Sequence, residues 1–135
     1  MEKYKIIEHR ADLKIKVFGK TKEELFENAV LAMNDYLQPE IKNSKIIKRK
    51  ILIKSFDIKT LIVDFLSEIL YLIQTKKETY FKTDFKKFTN TEINAFIFGR
   101  KVKKFNEDIK AVTYYDLEIK QKEKNLWQAT ILFDI

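Results

Sequence analysis

Two aspartates stand where an oxygen-liganded cation could be held. Asp12 opens a strand-like run, and Asp134 directly follows the apolar Ile131-Leu132-Phe133, with Ile135 beside it. If these segments lay together, Asp12, Asp134 and the α-carboxylate of Ile135 would crowd negative charge that a divalent cation relieves. All-oxygen ligands suit Ca²⁺ or Mg²⁺ rather than Zn²⁺. Taken alone, two aspartates so far apart in sequence read first as turn and strand-end residues.

Other chemistries are poorly served. Cysteine is absent, which excludes disulfide scaffolds, thiolate zinc sites and cysteine nucleophiles. The single His9 excludes paired-histidine zinc motifs. Gly19-Lys20-Thr21 lacks the upstream glycine of a phosphate loop. Ser44, Ser55 and Ser67 do not sit in nucleophile-elbow sequences. No catalytic residue is assigned, and catalysis by this chain alone is not expected.

The 135 residues include 45% hydrophobic ones, enough for one domain over 1–135 with a real core. No Gly/Ser/Pro-rich linker divides them. The N-terminus lacks an apolar signal core, and the longest apolar stretch, residues 58–73, is broken by Lys59, Asp64 and Glu68. A soluble cytoplasmic protein without membrane contact is therefore expected. The net charge of +7 could steer the chain towards nucleic acid or an acidic partner. Lysines such as Lys14, Lys16, Lys48 and Lys50 alternate with apolar residues, however, which reads as a solvated surface.

The elements that must position these residues follow from periodicity. Residues 4–8 and 13–18 are strand-like, with Leu13, Ile15 and Val17 on one face. Thr21 to Glu24 form a capping box in which Glu24 reaches back to the Thr21 amide. The helix behind it carries Leu25, Phe26, Ala29, Ala32, Met33, Tyr36 and Leu37 and stops at Pro39. Residues 46–54 form a strand, and Asp57 caps a second helix running to about Thr75. That helix is apolar except for a stripe of Asp64, Ser67, Glu68, Tyr71 and Thr75. Strands are expected at 79–88, 92–98, 112–120 and 126–134, with residues 100–110 a lysine-rich connection. Hairpin turns are expected at Asn90-Thr91 and residues 123–125. Two helices among such strands predict an α+β fold with a largely antiparallel sheet.

Five segments in register carry a family resemblance. Glu8 to Asp12 resembles the archease EHTAD signature, with Arg10 in place of Thr. Gly19-Lys20-Thr21 through Ala29 is similar to the family's GKT-x-EE-x-FENAA helix, and Leu61 to Leu72 to its LLVDWLSELLYL helix. Lys110 to Tyr114 resembles KAVTYH, and Phe133-Asp134-Ile135 the terminal FD[IV]. Tyr115 replaces a residue that is often His in the family, so no role of that His carries over.

The resemblance implies a metal-binding activator of the GTP-dependent tRNA-splicing RNA ligase, promoting ligase guanylylation and multiple turnover. It implies a divalent metal, calcium before magnesium, held by Asp12, Asp134 and Ile135. It also implies a strand-helix-strand-strand module within the α+β fold. The alternative role is a chaperone or modulator of tRNA-modifying enzymes such as a tRNA methyltransferase. The ligase is the expected partner, with tRNA reached indirectly through it. His9, Asp64, Glu68 and Lys110 are candidates for ligase contact or for supporting the metal ligands. Each has a plainer reading as a loop hydrogen-bonder, a helix face or one lysine among many. Phe81, Phe85, Phe88, Phe96 and Phe98 read as core or helix-covered surface rather than a base-stacking platform.

Overall fold

The alternation of Leu13, Ile15 and Val17 with Lys14 and Lys16 sends one face of a strand inward and the other to solvent. Strand β2 (Asp12–Gly19) forms there, and all three apolar residues are fully buried. The computed structural model describes residues 1–8 and 12–135, the side chain of Glu8 excepted. His9, a candidate above, and Arg10 lie outside the described residues. Around β2 the order is β1 (Tyr4–Glu8), β2, α1 (Lys22–Tyr36), β3 (Pro39–Ile41), β4 (Ile47–Lys54) and α2 (Ile58–Lys76). Then follow β5 (Glu78–Phe88), β6 (Glu92–Phe105), β7 (Ala111–Val112), β8 (Glu118–Glu123) and β9 (Leu126–Asp134).

The class is α+β, and the strand pairings among the described residues are antiparallel. They make two sheets rather than one. A five-stranded sheet has the order β1-β2-β9-β7, with β8 also beside β9. A four-stranded sheet has the order β3-β6-β4, with β5 also along β6. Each helix touches both sheets: α1 packs on β2 and β5, and α2 on β4 and β7. This explains the wide apolar circumference of α2, since a helix wedged between two surfaces must bury more than one stripe. A single cluster of buried side chains joins both sheets and both helices.

Local signals set the helix ends. The Glu24 N–H donates to Thr21 Oγ1 at 3.1 Å. Glu24 Oε1 in turn accepts from the Lys20 N–H at 3.2 Å, one residue before the expected Thr21 amide. Helix α1 ends at Tyr36, Gln38 is left-handed (φ 47°), and Pro39 opens the short edge strand β3. Proline is tolerated there because an edge strand's first residue need not donate to the ladder. Asp57 accepts from the Thr60 N–H at 2.8 Å to start α2, and left-handed Lys77 closes it.

Two strand assignments are corrected. Residues 100–105 are not a connection: they continue β6, flanked by β5 and β3, with Val102 buried. The exposed Lys103 and Lys104 beside it disguise the strand as a polar linker. The expected strand at 112–120 is instead split into β7 and β8, with left-handed Asp116 between them. Gly99 explains how closely β5 and β6 approach, because a Cβ there would lie 2.1 Å from the Thr79 carbonyl oxygen.

The phenylalanines also divide. Phe85 and Phe88 join the core with Phe26 and Phe65, with ring centroids 4.9–5.9 Å apart. Phe96 and Phe98 do not, contrary to expectation. They alternate with buried Ala95 and Ile97 on β6 and lie on the outer face of the four-stranded sheet, with lysines over their rings. Phe81 is exposed.

Candidate metal centre

Register in the five-stranded sheet brings the carboxylates together. Asp12 on β2 is the cross-strand partner of Asp134 on β9. Opposed residues on one face of an antiparallel pair have Cβ atoms about 4.5–5.5 Å apart. Both aspartates are exposed, on the same face as Lys14 and Lys16. Strand β7 holds the other flank of β9: Ala111 pairs with Asp134, and the Lys110 N–H donates to the Asp134 carbonyl at 2.7 Å. Asp134 thus sits between two strands that fix its backbone. Its carboxylate opposes another of like charge, a destabilising arrangement unless a cation stands between.

Ile135 follows at once, and its side chain packs against the core, fixing the main chain beside the pair. Among the described residues no group of three or more His, Cys, Asp or Glu side chains is gathered. The donors that the register brings together are the two carboxylates, with the main chain of Ile135 next in sequence. That set fits a hard cation that takes six to eight oxygens and leaves positions for water or a second molecule.

The stripe on α2 divides by role. Asp64 accepts from Ser55 Oγ at 2.6 Å and from the Tyr114 hydroxyl at 2.7 Å, so both its oxygens are engaged. It ties the entry to α2 and the segment after β7 to one carboxylate. The hydrogen bond to Asp64 holds the Tyr114 phenol above its ordinary range. Ser67 and Tyr71, farther along α2, line a shallow pocket of about 180 Å³ with Lys110 and Ala111. Lys110 therefore joins the carboxylate end to that pocket. Glu68 is exposed on α2 outside the pocket lining.

Sequence reading missed Ser55 and Tyr114 as the partners of Asp64, because neither spacing nor residue type advertises such contacts. It also missed Glu78, a fully buried carboxylate. Arg49 grips Glu78 with two hydrogen bonds of 3.0 and 2.7 Å, Tyr80 adds one at 2.7 Å, and Lys101 Nζ lies 3.3 Å away. Burial alone would push this carboxyl up, but its donors outweigh that and hold it down to about 2. The cluster joins β4, β5 and β6 on the sheet opposite the paired aspartates and reads as structural. A charged residue heading the strand-like run Thr79-Tyr80-Phe81 was the available signal.

Comparison with known proteins bears on the family and the fold. The model of the Archease protein family (MTH1598/TM1083) matches residues 4–135. Protein archease of Methanosarcina mazei is 37% identical over 142 residues, covering 99% of this chain and 97% of that protein. The Methanosarcina barkeri protein of the same name is 39% identical with the same coverage. Among solved structures, the solution structure of Methanobacterium thermoautotrophicum protein 1598 superposes with a TM-score of 0.70 at 23% identity, covering 100% of both chains. The crystal structure of an archease, described as a possible chaperone, from Thermotoga maritima gives 0.72 at 21% identity. It covers 97% of this chain and 96% of that one.

Proposed function

The chain belongs to the archease family, and from that premise we propose that it is a metal-binding accessory protein activating the GTP-dependent tRNA-splicing RNA ligase. The observation that carries this reading is the cross-strand placement of Asp12 opposite Asp134 beside the pocket edged by Lys110. Asp12, Asp134 and the Ile135 main-chain oxygen would hold Ca²⁺ or Mg²⁺. Such a cation supplies concentrated positive charge, the complement of a nucleotide's phosphates or of a partner's carboxylates. The side chains themselves are exposed, so an incoming protein can reach them without opening the fold. Lys110 and Tyr71 line the neighbouring pocket, and Tyr71 is largely exposed. Activation then consists of docking this face on the ligase and favouring the guanylylated state. The accessory protein undergoes no covalent change.

Single-turnover guanylylation of the ligase tests the proposal. Wild-type chain should accelerate the reaction over ligase alone, and Asp12→Asn and Asp134→Asn should lose most of that acceleration while staying folded. No acceleration by the wild-type chain would refute it.

A second reading, a chaperone or modulator of tRNA-modifying enzymes such as a methyltransferase, is favoured by exposed aromatics. Phe56 is 81% exposed, and Tyr115 69%. This reading predicts suppressed client aggregation with no effect on ligase turnover.

A further inference from the structure

The four-stranded sheet turns an open face to solvent, and that face is built unlike a solvated lysine surface. Along central strand β6, the residues facing outward are Asn94, Phe96 and Phe98 in succession. Alternate residues of a strand lie about 6.8 Å apart, close to the spacing of successive nucleotides in an extended single strand. Both phenylalanines sit on the side away from the core formed by Ala95 and Ile97. Core packing therefore does not account for their presence on this side.

Lysines frame the rings on both neighbouring strands. Lys48 on β4 pairs across to Phe98, and its Nζ lies 4.2 Å from the Phe96 centroid and 5.9 Å from that of Phe98. Lys82 on β5 reaches within 5.5 Å of Phe98 from the opposite side. Lys50 stands opposite Phe96. Among the described residues, Lys48, Lys50 and Lys82 have no carboxylate partner, whereas Lys54 and Lys87 share Glu92. Asp84 on β5 also stands opposite Phe96, but its carboxylate is paired with Lys86, so these three lysines stay without a carboxylate beside the aromatic rings. An ammonium over an exposed ring is held weakly. A base can displace it, and the freed lysine then meets the adjoining phosphate.

The row also ends in a pocket. A hollow of about 230 Å³ at the Asn94 end has Leu52, Ile53 and Ile93 as its apolar wall and Lys54, Lys87, Glu92 and Asn94 as its polar lining, the Glu92 carboxylate being shared by the two lysines. Asn94 Oδ1 is shielded from water and accepts no hydrogen bond. An orphaned acceptor beside an apolar wall is matched by the N–H edge of a planar base, and leaving it unmatched is costly.

We propose that this face binds a short single-stranded nucleic acid, with bases stacked on Phe96 and Phe98 and a third base edge offered to Asn94. Lys48, Lys50 and Lys82 take the phosphates. An acidic peptide would satisfy the lysines but would leave the rings and the Asn94 acceptor without purpose. The inference goes beyond the activator reading and stands apart from it, because the paired aspartates lie on the other sheet. It also departs from the expectation that tRNA is reached indirectly through the ligase.

Fluorescence anisotropy with a labelled oligouridylate of about twelve nucleotides, long enough to cover one such site, is the test. Wild type should bind at low salt and release as salt rises. Phe96→Leu with Phe98→Leu keeps the apolar surface and the fold but removes stacking, and should weaken binding about tenfold or more. Returning one aromatic ring, as Phe96→Leu with Phe98→Trp, should recover much of that affinity. Lys48→Gln with Lys50→Gln should weaken binding and flatten its salt slope by roughly one for each phosphate no longer neutralised. Lys120→Gln with Lys122→Gln, on the other sheet, should change little. The proposal is overturned by any of three results: no binding at low salt, undiminished binding by the leucine variant with melting unchanged, or equal affinity for poly-glutamate or duplex RNA.

Discussion

Tyr114 donates its hydroxyl to Asp64 at 2.7 Å, so a residue just past β7 is fastened to a helix far earlier in the chain. Ser55 takes the other oxygen of the same carboxylate at 2.6 Å. Asp64 is therefore a knot between three segments before it is anything else. Asp64→Ala should cost about 2 kcal/mol, the scale of lost hydrogen bonds to a charged group. For a chain of this size that lowers the melting temperature by about 8 °C. Tyr114→Phe should cost less, since the phenol is largely exposed. An unchanged melting temperature with lost ligase activation would instead make Asp64 a contact residue.

The opposition of Asp12 and Asp134 makes a prediction that reverses with conditions. In chelator, Asp134→Asn should be slightly more stable than wild type, by about 0.5 kcal/mol, because a like-charge cross-strand pair is removed. In excess Ca²⁺ the order should invert, since a cation binding only the folded state stabilises wild type in proportion to its occupancy. Thermal melts of both proteins in the two buffers would show the crossing. Parallel curves would place cation binding elsewhere. Calorimetry on a variant extended beyond Ile135 distinguishes a main-chain carbonyl from a carboxylate as the third donor, the extension weakening binding only in the second case.

Glu78 gives the acid sensitivity of the four-stranded sheet. Its folded carboxyl is held down to about 2, below the ordinary 4.5, by Arg49, Tyr80 and Lys101 against the opposing effect of burial. The folded state thus binds fewer protons than the unfolded chain in this window. The associated stability is complete above the ordinary value and is lost as pH falls from about 4.5 towards about 2. Glu78→Gln strands the Arg49 guanidinium and should cost about 3 kcal/mol at neutral pH. Urea melts across pH should show the wild-type advantage shrinking through that window. A constant advantage would mean that the cluster is not what titrates.

Gly99→Ala tests the approach of β5 to β6. The new methyl would lie 2.1 Å from the Thr79 carbonyl oxygen and 2.7 Å from Tyr80 Cδ1. A ring can rotate away, but a backbone oxygen held in a sheet cannot. Separation of the strands should cost about 3 kcal/mol, the upper range for overpacking. A melting temperature unchanged from wild type would show that the strands can part freely.

The elements were most legible where one face was apolar and the other charged, as in β2 and α1. They were least legible where lysines face outward on a strand whose partners are distant in sequence. Residues 100–105 look like a linker by composition and become strand because β5 pairs with 100–101 and β3 with 102–105. Phe96 and Phe98 were misplaced for a related reason: alternation assigns apolar residues inward, and on β6 both faces carry them. Asp12 and Asp134 were identified one by one from the sequence. Their adjacency depends on a register that no local pattern encodes.

That register has a consequence for how the chain is made. β2 comes near the start of the sequence and β9 near its end, yet they lie side by side in the five-stranded sheet. The entropy of closing so long a loop is met only when late contacts form, and such pairings slow folding. On the ribosome, α1, α2 and the strands from β3 to β6 are all synthesised before β9 exists. Asp12 therefore waits on an unfinished sheet while most of the molecule is already in place. The carboxylate pair is a product of the final pairing, so only a chain synthesised through β9 can present it.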